Sequence, residues 1–308
     1  MDFLDLFFFW SGILVILHSI PVIYRWLISY ISSPVDLKKK YDSEYALVTG
    51  ANSGLGLQIS IRLAQQGYNI IGLGRNLETL EKAKQEVESK GKNVKFYPVQ
   101  ADFASYEKGV KVVEDVLNTN FHGKDIRVAI INAGYGMYGR LLQLDNEKIH
   151  SFVTTMCTSY LQLARLFIDR NKQTIYNSQK DHKALLYFTS SVAADFNAPL
   201  GSLYCSVKAY KTGVMKHLSI EKAGTNLDVT TMQPGFFASS LFRSLPPFFE
   251  KFISSDSLFP TSSDVCDCVM KTLGREPVVD CSANSLVMRM FVWAIGEYPT
   301  YFISRFLV

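Results

Sequence analysis

A phenol and an amine set four residues apart, Tyr204 and Lys208, with Ser191 upstream of them, are the side chains of this sequence best suited to moving a proton. On a helix, positions i and i+4 share one face and lie about one turn apart. An ammonium held near a phenol favours the phenolate and draws its pKa down from about 10 towards the working range of a general acid. A serine hydroxyl delivered from the end of a strand can orient a substrate carbonyl beside that phenol. Taken alone, the pair is better described as a surface tyrosine with an unrelated lysine. The elements that would have to position it decide between the two.

Upstream, Tyr45–Val48 reads as a short buried strand that runs into Thr49-Gly50-Ala51-Asn52-Ser53-Gly54-Leu55-Gly56 and then into a helix over Leu57–Gln66. Glycine lets backbone approach a pyrophosphate, and a helix start offers free N–H groups with the positive end of the helix dipole. A glycine triplet between a strand and a helix is the context that dinucleotide binding demands. A second strand, Asn69–Leu73, ends at Gly74-Arg75-Asn76, beside the place of an adenosine ribose in a βαβ unit. An acid there would hold the 2′-hydroxyl of NAD, whereas Arg75 suits a 2′-phosphate, so NADP(H) is the expected cofactor. The competing assignment for Arg75 is a solvated residue at a helix start.

Helix Leu77–Lys90, strand Val94–Val99 followed by Ala101-Asp102, and strand Val128–Ile131 followed by Asn132-Ala133-Gly134 continue the alternation. Over Tyr45–Gln233 it predicts an α/β doubly wound parallel sheet, the Rossmann fold, with ligands at the strand carboxyl ends. Net charge is +4, with no long basic run or aromatic-basic interleaving, so nucleic acid is not expected as a partner. The 5 cysteines are scattered, and the Cys266/Cys268 pair lacks a second ligand pair, so neither a disulfide framework nor a metal site is expected.

With Thr49-Gly50-x-x-x-Gly54-x-Gly56, Asn132-Ala133-Gly134, Ser191 and Tyr204-x-x-x-Lys208 in order, the sequence resembles the short-chain dehydrogenase/reductases from Tyr45 to about Gly235. The resemblance implies that the Gly50, Gly54 and Gly56 loop, with Thr49, Asn52, Ser53 and Leu55, cradles the cofactor pyrophosphate. It further implies that Asp102 holds the adenine, that Asn132 stabilises the central sheet near the cofactor, and that Ala133 and Gly134 belong with it to the cofactor-binding residues. Ser191 would orient the carbonyl, Tyr204 would be the general acid/base, and Lys208 would hold the nicotinamide ribose and lower the tyrosine pKa. Pro234-Gly235 matches the family's turn beside the nicotinamide. One departure stands out: the family's usual catalytic asparagine should fall within 152–160, and Cys157 is the best-fitting position. A thiol is a poor replacement for an amide in positioning a relay water.

Hydrophobic residues make up 48% of the chain and mean hydropathy is +0.08, at the apolar edge of soluble proteins. The stretch Leu6–Ile31 is apolar almost throughout and is followed by Lys38, Lys39 and Lys40. Its length suits a membrane anchor, spanning or, because of Pro21 and Arg25, bent and re-entrant. The positive-inside rule then places the rest of the chain in the cytosol. The expected organisation is an anchor over 1–33, a basic linker over 34–43, a reductase domain over 44–275 with a lid near 236–260, and a C-terminal amphipathic segment over 276–308. An anchor of this kind and Leu37–Tyr41 resemble the endoplasmic-reticulum branch of the family, the very-long-chain 3-oxoacyl-CoA reductases and their 17β-hydroxysteroid dehydrogenase relatives. The aromatic-rich stretch from Phe236 to Phe259 suits a lipid-like ketone. Reduction of a 3-oxoacyl-CoA is the first expectation, a 17β-ketosteroid or 3-ketosphinganine the next, and a low-turnover NADP-binding membrane scaffold or sensor the rival class. Membrane lipids are expected partners, and the resemblance implies homodimers through the helices after the fourth and fifth strands.

Overall fold

The computed structural model describes residues 3–177, 182–195, 200–237, 259–275 and 278–281. Among the described residues there are seven strands, β1 (Tyr45–Thr49), β2 (Asn69–Gly74), β3 (Phe96–Gln100), β4 (Ile126–Ile131), β5 (Ala184–Thr189), β6 (Leu227–Pro234) and β7 (Val278–Cys281). They form one sheet in the order β3-β2-β1-β4-β5-β6-β7. Every pairing is parallel, from Tyr45↔Asn69 at β1–β2 to Pro234↔Cys281 at β6–β7. β1, β4 and β5 are buried at every position, while the outer β3 is half-exposed. That is the pattern of central parallel strands covered on both faces, and it explains why these strands read as unbroken apolar runs.

The covering helices are α1 (Phe3–Ile31), α2 (Leu37–Tyr41), α3 (Gly54–Gln65), α4 (Leu77–Lys90), α5 (Val110–Thr119), α6 (Asn146–Val153), α7 (Ser159–Arg170), α8 (Lys172–Ile175), α9 (Ser202–Glu221) and α10 (Ser262–Thr272). One apolar core lies under α3, α4 and α10, with Ile59, Leu63, Leu80, Val87, Val269 and Met270 buried in it. A second lies on the opposite face under α5 and α7, with Val113, Leu117, Leu163, Phe167 and Met215. The strand order reverses between β1 and β4. A doubly wound sheet opens a crevice there, at the carboxyl ends of its strands.

The stretch expected to be a basic linker is instead part of the domain. Leu37 and Tyr41 are fully buried, and the Val35 N–H donates to the Met270 carbonyl at 3.0 Å. Tyr41 donates to Asp228 at 3.0 Å, and Lys40 pairs with the same carboxylate at 2.8 Å. The expected anchor is a single helix, α1, carrying exposed apolar side chains from Leu4 and Phe7 through Leu17 to Ile31. Lys271 and Arg275 hold the end of α1 by donating to the carbonyls of Tyr30 and Ser33, both at 3.0 Å. Among the described residues, no helix is long and apolar enough to cross a membrane. Of the expected lid only its two ends are described, where the rings of Phe236 and Phe259 meet edge to face with centroids 6.4 Å apart. The C-terminal segment, β7 apart, lies outside the described residues.

Candidate active site

The loop between β1 and α3 turns on Gly50, whose φ of +68° is left-handed backbone that favours glycine. Its N–H and that of Ala51 donate to the Leu73 carbonyl, which ties the loop to the end of β2. At Gly56 a Cβ would stand 2.1 Å from the Gly50 carbonyl oxygen, so only hydrogen fits where α3 begins against the loop. Around Gly54, with φ of +55°, there is open space. Ser53 precedes the helix without a side-chain cap, which leaves the first-turn N–H groups for a ligand. Thr49 points the other way: its hydroxyl accepts from the N–H groups of Asn132 at 2.9 Å and Ala133 at 2.8 Å. Asn132 accepts from Thr189 at 2.8 Å, stitching β1, β4 and β5 together at their carboxyl ends.

These elements wall a cleft of about 410 Å³ lined by Gly50, Asn52, Ser53, Arg75, Tyr204 and Lys208, among others. Leu55, Asn132, Ala133, Gly134, Pro234 and Gly235 line it too, so most of the residues expected from the sequence converge on one space. Thr49 and Gly56 stand behind the wall. Arg75 is exposed at the rim, its guanidinium 5.5 Å from the centre of the Tyr135 ring. Asp102 is half-buried, and its carboxylate accepts from the N–H of Ala104 at 3.1 Å; Ala101 and Phe103 on either side of it line the cleft.

Ser191, Tyr204 and Lys208 meet at the inner end. Tyr204 and Lys208 are 4% and 5% exposed, so the pair is no surface coincidence. Lys208 donates from Nζ to the Ser190 carbonyl at 3.1 Å, while Ser190 Oγ donates to the Lys208 carbonyl at 2.9 Å. This exchange locks α9 to the end of β5. Burial without a counter-charge draws the Lys208 ammonium down to about 8. The electrostatics of Tyr204 depart from the sequence expectation. Burial pushes its phenol above the ordinary value, and the hydrogen bonds with Ser191 and Tyr138 oppose that rise. The Lys208 ammonium sits 5.5 Å from the centre of the ring, turned to the Ser190 carbonyl. In this structure burial disfavours the phenolate, and it is the neighbouring hydroxyls, not the lysine, that oppose that effect.

Tyr138 was not among the residues expected at the site. Its ring lies 5.1 Å from that of Tyr204, centroid to centroid, on the irregular chain between β4 and α6. Cys157 lies in a π-helical turn, Thr154–Thr158, between α6 and α7. Its thiol is half-buried, pushed up by burial and drawn back by Lys211. From the same turn it is Thr155 that lines the cleft. Lys211 is itself buried, 1% exposed, although nothing in the motif directs attention to it. It follows Tyr204 and Lys208 at i+7 and i+3, the spacing of one helix face, and that was the available signal.

The cleft suits a nicotinamide dinucleotide on its own geometry: a glycine cradle that a Cβ would fill, an uncapped helix start for a pyrophosphate, and a guanidinium at the rim. Bound there, such a cofactor would supply or take up hydride at the carbon of a ketone or alcohol. The chain's own part is proton chemistry. Ser191 is placed so that it could fix a substrate oxygen, Tyr204 could donate or accept the proton on it, and Lys208 would stand behind as a buried amine.

The short chain dehydrogenase profile matches residues 44–248. A very-long-chain 3-oxoacyl-CoA reductase of Mycosarcoma maydis is 25% identical over 239 residues, 76% of this chain, and the chain spans 62% of that protein's length. Human 17-beta-hydroxysteroid dehydrogenase type 3 is 26% identical over 253 residues, 79% of this chain and 76% of that protein. Among solved structures, a 7beta-hydroxysteroid dehydrogenase superposes with a TM-score of 0.71 at 19% identity, over 85% of this chain and 96% of that one. A Sphingobium yanoikuyae short-chain dehydrogenase in complex with NADPH gives 0.64 at 19%, over 81% and 92%. At these identities the solved structures speak for the fold.

Proposed function

The chain belongs to the short-chain dehydrogenase/reductase family and acts on a CH–OH or ketone group with a nicotinamide cofactor; from that premise we propose that it is an NADPH-dependent reductase of lipid-like ketones, with 3-oxoacyl-CoA as first substrate. The observation that carries the chemistry is the convergence of Ser191, Tyr204 and Lys208 on the cleft walled by the glycine loop. Arg75 at the rim of the same cleft supports NADPH over NADH, because a guanidinium pairs with a 2′-phosphate. The substrate class draws on likeness to the Mycosarcoma maydis reductase and the human steroid dehydrogenase. A 17β-ketosteroid and 3-ketosphinganine are the next candidates.

The exposed apolar side chains of α1 favour a membrane-held enzyme over a freely soluble one, since a stripe of that size is costly to leave in water. We place it at the endoplasmic-reticulum membrane with the reductase domain in the cytosol. Flotation of the full chain with liposomes, and its loss on deleting residues 1–31, tests that placement.

Oxidation of NADPH by the purified full chain with 3-oxoacyl-CoA, estrone and 3-ketosphinganine tests the function. Binding of NADPH without turnover of any of them would leave the scaffold reading in possession. For the cofactor, Arg75→Ala is expected to weaken NADPH about tenfold and leave NADH unchanged, the loss of one charge-assisted contact. Equal affinity for both cofactors in the native chain would remove the role given to Arg75.

A further inference from the structure

The least explained group in the molecule is Lys211. Its Nζ lies 3.2 Å above the centre of the Tyr160 ring and 3.7 Å from the Met156 sulfur. Among the described residues no carboxylate pairs with it. A neutral amine has two N–H donors and one lone pair; a ring face and a thioether are two weak acceptors, and they leave the lone pair free. An ammonium would have a third donor to place and a full charge to bury, and against both the surroundings offer the face of the Tyr160 ring and no carboxylate among the described residues. Burial and the nearby Lys208 cation both push the Lys211 amine well below the ordinary lysine range, with only the Cys157 thiol opposing. The titratable groups around it are Lys208 on its own helix, Cys157 on the π turn and Tyr160 on α7, itself coupled to Tyr187 and Tyr204.

Lys211 thus stands one turn beyond Lys208 on the buried face of α9, within electrostatic reach of both Lys208 and the half-exposed Cys157, the position expected for the family's asparagine. On the reading of the chain as a reductase, we propose that Lys211 is a positioning residue that acts through Lys208, passing protons between the solvent edge at Cys157 and the Lys208 amine. A proton entering at that edge forms an N–H bond on the free lone pair of Lys211. The ammonium so formed loses a proton, directly or across one water, to a Lys208 amine that has just given up its own. Only N–H and O–H bonds form and break, and nothing is oxidised or reduced.

Lys211→Met keeps the length of the side chain and removes the amine. In the full-length enzyme with NADPH and 2,2,2-trifluoroacetophenone, an activated ketone that does not test the lipid preference, kcat should fall about tenfold, with KM and the NADPH Kd unchanged. In the Lys211→Met background, Cys157→Asn should recover kcat at least threefold by supplying an amide that holds water. Stability gives a readout free of turnover. The folded-state pKa of Lys211 is below its unfolded value, so the unfolded chain binds the extra proton and native stability rises with pH up to about 10.5. Lys211→Met should therefore have the higher Tm at pH 7, and the gap should close towards pH 10. A structural cation–π role predicts the reverse, a lower Tm at pH 7. That result, or an unchanged kcat, overturns the proposal. Turnover of the activated ketone without any lipid ketone breaks the substrate reading alone, and turnover of neither breaks both.

Discussion

Helices α3 and α9 approach the cleft from opposite sides and are built on opposite terms. α3 comes in through what it lacks: Gly54 brings bare backbone to the cleft wall, and behind it a Cβ at Gly56 would collide with the Gly50 carbonyl at 2.1 Å. α9 comes in through what it carries, with Tyr204, Lys208 and Lys211 along one buried face. The first arrangement leaves stability nearly untouched, because glycine there relieves a clash. The second costs stability, because each ionisable group is held out of water with few partners. On the proposed reading, binding rests on backbone on one side and chemistry on buried ionisable groups on the other.

The largest expected effect follows from that division. Tyr204→Phe removes one oxygen and almost no packing, so it should lower kcat about 10³-fold, ~4 kcal/mol of barrier, while NADPH binding and Tm stay near native. Steady-state kinetics and fluorescence titration of NADPH measure both. If NADPH affinity fell in parallel with the rate, α9 would be a binding element like α3 and the contrast would collapse.

A paired alanine substitution tests the same contrast in the other currency. Gly56→Ala should destabilise by about 3 kcal/mol and abolish tight NADPH binding, since backbone must shift to admit the methyl group. Gly213 sits within α9 with nothing within 4 Å of a Cβ built on it. Gly213→Ala should stabilise by about 0.5–1 kcal/mol through helix propensity and leave the kinetics alone. Denaturant unfolding of both variants reads the two signs. A neutral Gly56→Ala would mean that the loop is not the fixed cradle its geometry describes.

That contrast also explains what could be read from the residues alone. The glycine loop, Asn132 and the strand ends were legible because each answers to a local backbone demand. Tyr204 and Lys208 were legible through i, i+4 spacing. Lys211 continues the same face, but its burial depends on Met156 and Tyr160 from other elements. Tyr138 was hidden because it sits on irregular chain, whose path no periodicity reports. The stretch over 34–43 looked like a linker by its lysines. Its burial rests on Gln66 accepting from the Leu37 N–H at 2.9 Å and on Asp228 far along the chain, neither of which a local pattern contains. The expected fall in the tyrosine pKa treated the lysine as the nearest influence, whereas burial dominates.

Tyr138 offers the finest test of how α9 is tuned. Its hydrogen bond with Tyr204 favours the phenolate, against the burial that opposes it. Tyr138→Phe keeps the ring beside Tyr204 and removes that bond, so the Tyr204 phenol should rise. A net hydrogen bond of about 1 kcal/mol corresponds to roughly 0.7 of a pH unit. Ketone reduction needs Tyr204 protonated, and its rate falls as the phenol ionises. The variant should therefore carry that alkaline limb to higher pH by about this amount. Alcohol oxidation needs the phenolate, so below the limb it should slow by about fivefold. Profiles of kcat against pH in both directions separate the effect from a general loss, because the two reactions should move in opposite senses at one pH. A limb that stays in place, or moves to lower pH, would leave burial and Ser191 alone to set the acidity of Tyr204.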